Sequence, residues 1–182
     1  LGYHLVQQLC AAGAQVRTLA LATPPEHPLA DLADVEQFAG DVRDAAQVRR
    51  ATAGCAVVFH TAGIVASSGP KLRLMHSVHV DGTRTVLAEM PATARLVHTS
   101  SITAVGAARR GRPATEETAF DLHDFAVDYV HAKRAAEHVA LAGAKNGRDV
   151  VVANPAYLVG PEDYEGSVMG RFCLRFWKGR LP

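Results

Sequence analysis

The feature that most constrains this chain is a regular alternation of short apolar segments with longer amphipathic ones. The short segments are 15–21, 35–39, 55–59, 95–99 and 149–153, rich in Val, Leu and other strand formers. Between them, helical spacing runs over 2–12, 44–51, 70–90, 126–145 and 166–178. Gly13 and the pair Asn146-Gly147 supply stop signals for two of these helices. Thr23, Pro24, Pro25 and Pro28 predict a loop after the first strand. Strand–helix alternation of this kind predicts parallel βαβ units with right-handed crossovers, that is, an α/β doubly wound sheet. The continuous apolar run Cys-Ala-Val-Val-Phe at 55–59 predicts a strand covered on both faces. In open sheets of this type ligands sit beyond the carboxyl ends of the strands, so residues just after each strand carry the most information.

Composition narrows the function classes. With 182 residues, one domain with a full core is expected. Nineteen basic residues face eighteen acidic ones, a net charge of +1, which leaves no electrostatic footprint for nucleic acid or a membrane surface. Arg109, Arg110 and Arg112 flank a glycine and read as an exposed loop. No apolar stretch reaches the roughly 20 residues of a membrane helix. Cys10, Cys55 and Cys173 are odd in number and lack CxxC spacing, which fits unpaired thiols in a reducing, cytoplasmic setting, with Cys55 as buried packing. The chain starts at Leu1 within a helical pattern and ends after an amphipathic segment, so it reads as a fragment.

Four segments that follow strands carry chemistry. Tyr129-Val130-His131-Ala132-Lys133 places a phenol and an ammonium on one helix face at i,i+4. An ammonium near the phenol would lower the tyrosine pKa and suit it to exchange a proton with a carbinol; the alternative is a solvated surface pair. Thr99-Ser100-Ser101 follows the strand at 95–99, where a hydroxyl can hold a substrate oxygen, the alternative being an ST-turn or helix cap. In Gly40-Asp41-Val42-Arg43-Asp44, Asp41 suits an adenine amino group and Val42 the ring, while Asp44 is the better N-cap and leaves Asp41 without a local role. His60-Thr61-Ala62-Gly63 offers small residues where backbone can approach a cofactor, the alternative being a simple turn.

Taken together and in order, these motifs resemble the extended short-chain dehydrogenase/reductases, the NAD-dependent epimerase/dehydratase group, along nearly the whole chain. Leu1-Gly2 looks like the end of that family's Gly-x-x-Gly-x-x-Gly loop. Val80-Asp81-Gly82-Thr83 resembles its Asn-Val-x-Gly-Thr helix, and Asn154-Pro155 through Gly160-Pro161 its Asn-Pro-x-x-x-x-Gly-Pro loop beside the nicotinamide. The resemblance implies catalytic roles for Ser101, Tyr129 and Lys133. It implies cofactor contacts at Gly2, Asp41, Val42, Thr61, Ala62, Gly63, Thr99, Tyr129, Lys133, Pro155, Ala156, Tyr157 and Leu158. His79 stands where the family often has an Asn thought to hold a relay water; a neutral imidazole has one donor and one acceptor for the same task, or simply packs.

The fold so implied is a Rossmann-type doubly wound sheet lacking its first strand, with the NAD(P)-binding domain over 1–160 and the start of a smaller substrate region over 161–182. Val-His-Thr-Ser-Ser-Ile and Tyr-x-x-x-Lys-Arg-Ala-Ala-Glu look most like the dihydroflavonol-reductase and 3β-hydroxysteroid-dehydrogenase branches, and also like hopanoid-associated sugar epimerases. The implied activity is hydride transfer at a carbinol or carbonyl carbon of a small molecule, with NAD or NADP as cofactor. Alternatives are a nucleotide-sugar epimerase or dehydratase, and a non-catalytic cofactor sensor on the same fold. The segment 19–23 holds neither an acid for NAD nor an arginine for NADP. The first two glycines of the loop are absent, so the chain as given is expected to bind NAD(P) poorly. His76 and His79 lack a third ligand at matching spacing, and no metal is expected. The helices near 70–90 and 126–145 commonly pair across a two-fold axis in the family, which makes a homodimer an expectation.

Overall fold

A computed structural model describes all residues except 22–28, 30, 31, 33, 67, 109, 110, 164, 165, 181 and 182. Thr23, Pro24, Pro25, Pro28, Arg109 and Arg110 fall outside the described residues. The elements run α1 (Gly2–Ala11), β1 (Val16–Ala20), β2 (Val35–Ala39), α2 (Ala45–Thr52), β3 (Val57–His60), α3 (Lys71–His76), a π-helical turn (Ser77–Asp81), α4 (Gly82–Glu89), β4 (Arg95–Thr99), α5 (Ile102–Val105), α6 (Asp128–Lys145), β5 (Val150–Ala153) and α7 (Val168–Trp177). Each expected strand and long helix is present, with ends shifted by a residue or two.

Local chemistry explains several boundaries. Gly13, at φ 77°, takes the left-handed conformation just past α1 that side chains resist. Asp44 caps α2 by accepting from the Gln47 amide at 2.9 Å. Ser167 does the same for α7, accepting from the Gly170 amide at 3.0 Å.

Among the described strands every pairing is parallel, as the alternation predicts. The order is β1-β2 in one sheet and β3-β4-β5 in another. The interruption between β1 and β3 agrees with a doubly wound sheet that lacks its first strand. One core nonetheless spans it: Leu19 of β1 and Val58 of β3 both pack on Val48, Val86, Met90, Ala94 and Leu96. A second cluster joins Val6 of α1 to Val16 and Val35. Alternate strand residues point to opposite faces, so α1 covers the Val16 side of β1 and α2 the Leu19 side.

The expected coverage of β3 fails. Strand β3 is not covered on both faces: Val58 and His60 turn toward the helices, but Val57 is 43% and Phe59 37% exposed. Among the described residues no element lies over that face, and Val151 of β5 is likewise exposed. An apolar run reports what a strand can bury, whereas coverage depends on what packs against it. Cys55 is half-buried rather than buried, its thiol 3.7 Å from the Ala51 carbonyl.

Candidate active site

The parallel strands end on one edge, and the segments that follow β2, β3, β4 and β5 therefore gather there. Ser100 extends the β4–β5 pairing by one bond, donating its amide to Ala153 at 2.8 Å. Ser101 then leaves the strand as N-cap of α5. Its Oγ accepts from the Thr103 amide at 3.3 Å and from the Thr103 hydroxyl at 3.0 Å. Both lone-pair directions are thus taken, and the Ser101 hydroxyl lies close enough to the Tyr129 phenol to favour its ionised form. Ser101 is therefore both a cap, as the alternative reading held, and a neighbour of the phenol.

Helix α6 positions the phenol and the ammonium. Tyr129 and Lys133 are one turn apart on the face that looks at the ends of β3 and β4. Lys133 is buried, its Nζ donating to the Thr99 carbonyl at 3.0 Å and lying 6.0 Å from the centre of the Tyr129 ring. Burial pulls the Lys133 pKa down to about 8. Burial pushes the Tyr129 phenol up, and only the Ser101 hydrogen bond opposes it. The expected depression of Tyr129 by the ammonium is thus corrected: Lys133 points at a backbone carbonyl, and desolvation of the phenolate outweighs the rest.

His79 lies in the π-helical turn that interrupts the long helix. Its Nε2 is 2.9 Å from the Ile64 carbonyl, which can only accept, so Nε2 carries the proton and Nδ1 keeps its lone pair. The ring meets Tyr129 edge-on at 5.9 Å. Gly63 has to be a glycine here, since a Cβ would lie 2.5 Å from the His79 ring. Below, the Thr83 hydroxyl donates to the His79 carbonyl at 2.6 Å and takes a bond from His60 Nε2 at 3.1 Å. His60 and His98 stack obliquely, 5.5 Å apart, and neither nitrogen of His98 has a partner. Burial, reinforced by Lys133, lowers His79 and His98 to about 4; burial and His98 lower His60 to about 3. Three imidazoles beside the lysine are therefore neutral at pH 7.

The remaining candidates line the same edge. Gly2 opens α1 where a Cβ would sit 3.2 Å from the Thr61 hydroxyl, so the first turn of α1 meets the segment Thr61–Gly63. Val42 packs on Gly82 so closely that a Cβ there would lie 2.8 Å from its Cγ2. Asp41 departs from expectation, because it does have a local role. It accepts from the Arg43 amide at 2.9 Å and clasps the Arg43 guanidinium through both oxygens, which holds its carboxyl below the usual range. After β5, Pro155 is half-buried, whereas Ala156, Tyr157 and Leu158 are exposed, Tyr157 at 78%. Reading for single catalytic groups overlooked a set behind Ser101, made of the buried Ser100 and Glu137 and the half-buried Asn154. The available signal was Glu137 one turn beyond Lys133 on the same helix face.

Parallel strands, helices on both faces of β1 and small residues at the strand ends define an α/β domain of the extended short-chain dehydrogenase/reductase class. The chain belongs to the 3-beta hydroxysteroid dehydrogenase/isomerase family, whose model matches residues 1–168. It is 36% identical over its whole length to sterol demethylase protein B of Methylococcus capsulatus and covers 55% of that protein. With mouse 3 beta-hydroxysteroid dehydrogenase type 7 it shares 34% identity over 164 residues, covering 82% of this chain and 43% of the other. Among solved structures, gox2253 superposes on the full chain with a TM-score of 0.87 at 26% identity, 56% of that molecule being covered. The fold also matches a dTDP-glucose 4,6-dehydratase from Streptomyces venezuelae solved with NAD, at a TM-score of 0.81 and 23% identity, over 98% of this chain and 59% of that one. The chain spans about half the length of the relatives it matches.

Proposed function

We propose that this chain is the NAD(P)-binding part of an enzyme that moves a hydride at a secondary carbinol or its carbonyl. The observation that carries the reading is the convergence of Ser101, Tyr129 and a buried Lys133 at the ends of β4 and α6. The residues present fit a dinucleotide: the first turn of α1 presents backbone N–H groups, with no side-chain cap, beside Thr61 at the end of β3. Gly2, Asp41, Val42, Thr61, Ala62, Gly63 and Thr99 would hold the cofactor, with Pro155, Ala156, Tyr157 and Leu158 along the nicotinamide. Arg43 would have to release Asp41, or share it, for an adenine amino group to bind there.

When bound, the nicotinamide supplies or accepts the hydride. Ser101 donates to the substrate oxygen and keeps it beside the phenol. Tyr129, kept protonated by burial, gives its proton to that oxygen in reduction and takes it back in oxidation. Lys133 places a positive charge near the phenolate that forms and orients the cofactor ribose. His79, with Nδ1 free to accept, is suited to relay a proton from solvent. Residues 1–160 form the cofactor domain and 161–182 begin the substrate region.

The family model and the sterol demethylase protein B relative favour an apolar ring alcohol over a nucleotide sugar. Leu74 on α3 and Leu141 on α6, each 40% exposed, support a homodimer through those helices, which sedimentation would check. Among the described residues no helix is long and apolar enough to cross a membrane. Three free thiols fit a reducing, cytoplasmic setting.

The test is steady-state oxidation of a 3β-hydroxysterol panel and reduction of the matching ketones by the whole protein, with NAD(H) and NADP(H). Turnover with net change of cofactor is expected. Cofactor returned unchanged alongside an inverted sugar centre would instead establish an epimerase, and no turnover of either kind would leave a binding protein.

A further inference from the structure

We propose that Glu137 is a positioning residue: its buried carboxylate fixes the Ser101 segment to the helix that carries Tyr129 and Lys133. The proposal rests on the hydride-transfer reading for its kinetic consequence, though not for its geometry. Glu137 is 5% exposed. Its Oε2 accepts from the Ser100 hydroxyl at 2.6 Å and from the Asn154 side-chain amide, also at 2.6 Å. The same Asn154 nitrogen donates to the Ser101 carbonyl at 3.0 Å. On the other oxygen, Oε1 lies 3.4 Å from Arg134, whose guanidinium also donates to the Ala104 carbonyl at 3.0 Å. Residues on both sides of Ser101 are therefore tied to one carboxylate, and the loop after β5 is tied with them.

A buried carboxylate is costly unless donors surround it, and here three donors do. Packing alone does not require a charge at this position; an apolar side chain would fill the space without desolvation cost. What a carboxylate adds is direction. Tyr129, Lys133 and Glu137 follow each other at single-turn spacing on α6, so one rigid helix sets the phenol, the ammonium and the anchor of the Ser101 segment. Backbone bonds from Ile102 to Pro155 at 3.1 Å and from Ala104 to Ser101 at 2.9 Å complete the frame. Glu137 is not itself within reach of a reacting atom by any of these contacts, and so acts through Ser101.

The experiment compares E137A, E137Q and N154A in the whole protein. E137A strands the buried Ser100 hydroxyl and the half-buried Asn154 amide and lets the Ser101 segment drift. A displacement of about 1 Å at a reacting group lowers kcat by about tenfold to a hundredfold. The cofactor KM should rise by a clearly smaller factor than kcat falls, because only the loop after β5 is shared with the cofactor and the contacts on α1 and after β2 and β3 lie elsewhere. The limb of the pH–rate profile that reports Tyr129 should move upward, since its Ser101 hydrogen bond weakens. E137Q keeps an oxygen for Ser100 and Asn154 and should recover most of the lost kcat. N154A, which removes one arm, should fall between them and covers the case in which E137A does not fold. Unchanged kcat in a folded E137A or N154A overturns the proposal. So does a loss in which cofactor KM rises by as large a factor as kcat falls, or an E137Q as impaired as E137A. Should the wild-type protein turn over no substrate, the hydride-transfer reading fails by itself. Glu137 is then judged by the crystal structure of E137A, where an unmoved Ser101 segment overturns the proposal and a shifted one supports it.

Discussion

At Lys133 the surroundings decide the chemistry more than the residue type does. An exposed lysine holds its proton to beyond pH 10; this one, enclosed and bound to the Thr99 carbonyl, gives it up near pH 8. The folded chain therefore loses the ammonium as pH rises through that value, and under the proposed mechanism kcat/KM of the whole protein for carbonyl reduction should decline above about pH 8. In K133R, where the cation does not titrate in this range, that decline should disappear from the profile even though overall activity is lower. Under the proposed mechanism, Y129F in the whole protein loses the proton donor and should cost about a hundredfold or more in kcat, with cofactor binding by fluorescence retained. The pairing of Tyr129 with Lys133 was legible in the sequence because helical spacing alone places i and i+4 together. The direction of the Tyr129 shift was not, because burial of the phenol depends on neighbours far away in the chain, such as His79 of the π-helical turn and Ser101 after β4.

Among the elements, the helix interrupted at Ser77–Asp81 is the most specialised. A π-turn inserts one residue into the α-helical register and so re-aims His79 toward Tyr129 and Gly63. The substitution G63A would place a methyl 2.5 Å from that ring. It should displace His79 and cost about 1–3 kcal/mol of stability in chemical denaturation. Strand β4 is the other pivotal element, with Leu96 wholly buried between the helices and the flanking strands. L96A should lower stability by about 2–5 kcal/mol, read as a drop in denaturation midpoint. Helical period and strand composition made both elements legible; the π-turn left no mark, since its register change arises within an unbroken helical pattern. The mistaken coverage of β3 has a related cause: composition describes the strand, and neighbours describe its faces.

For the molecule as a whole, three neutral imidazoles in one interior make stability depend on acid. His60, His79 and His98 bind protons less readily when folded than the ordinary histidine at 6.5. Between those folded values and 6.5 the unfolded chain binds more protons, so stability falls as pH falls through this window. Thermal midpoints measured from pH 7 to pH 4 should decline, and H98L should flatten that decline, because it removes one of the three and relieves two unpartnered nitrogens. What the sequence by itself determined is the parallel α/β architecture, the order of its elements and the short motifs at the strand ends. Those follow from local periodicity and from residue types at fixed offsets, which act over a few residues. Tertiary structure alone decided that Ser101 lies beside Tyr129, that Arg43 occupies Asp41, and that Ser100, Glu137 and Asn154 meet behind the site. Burial and hydrogen bonding between residues far apart in the chain set those outcomes, and neither exists until the strands and helices have packed.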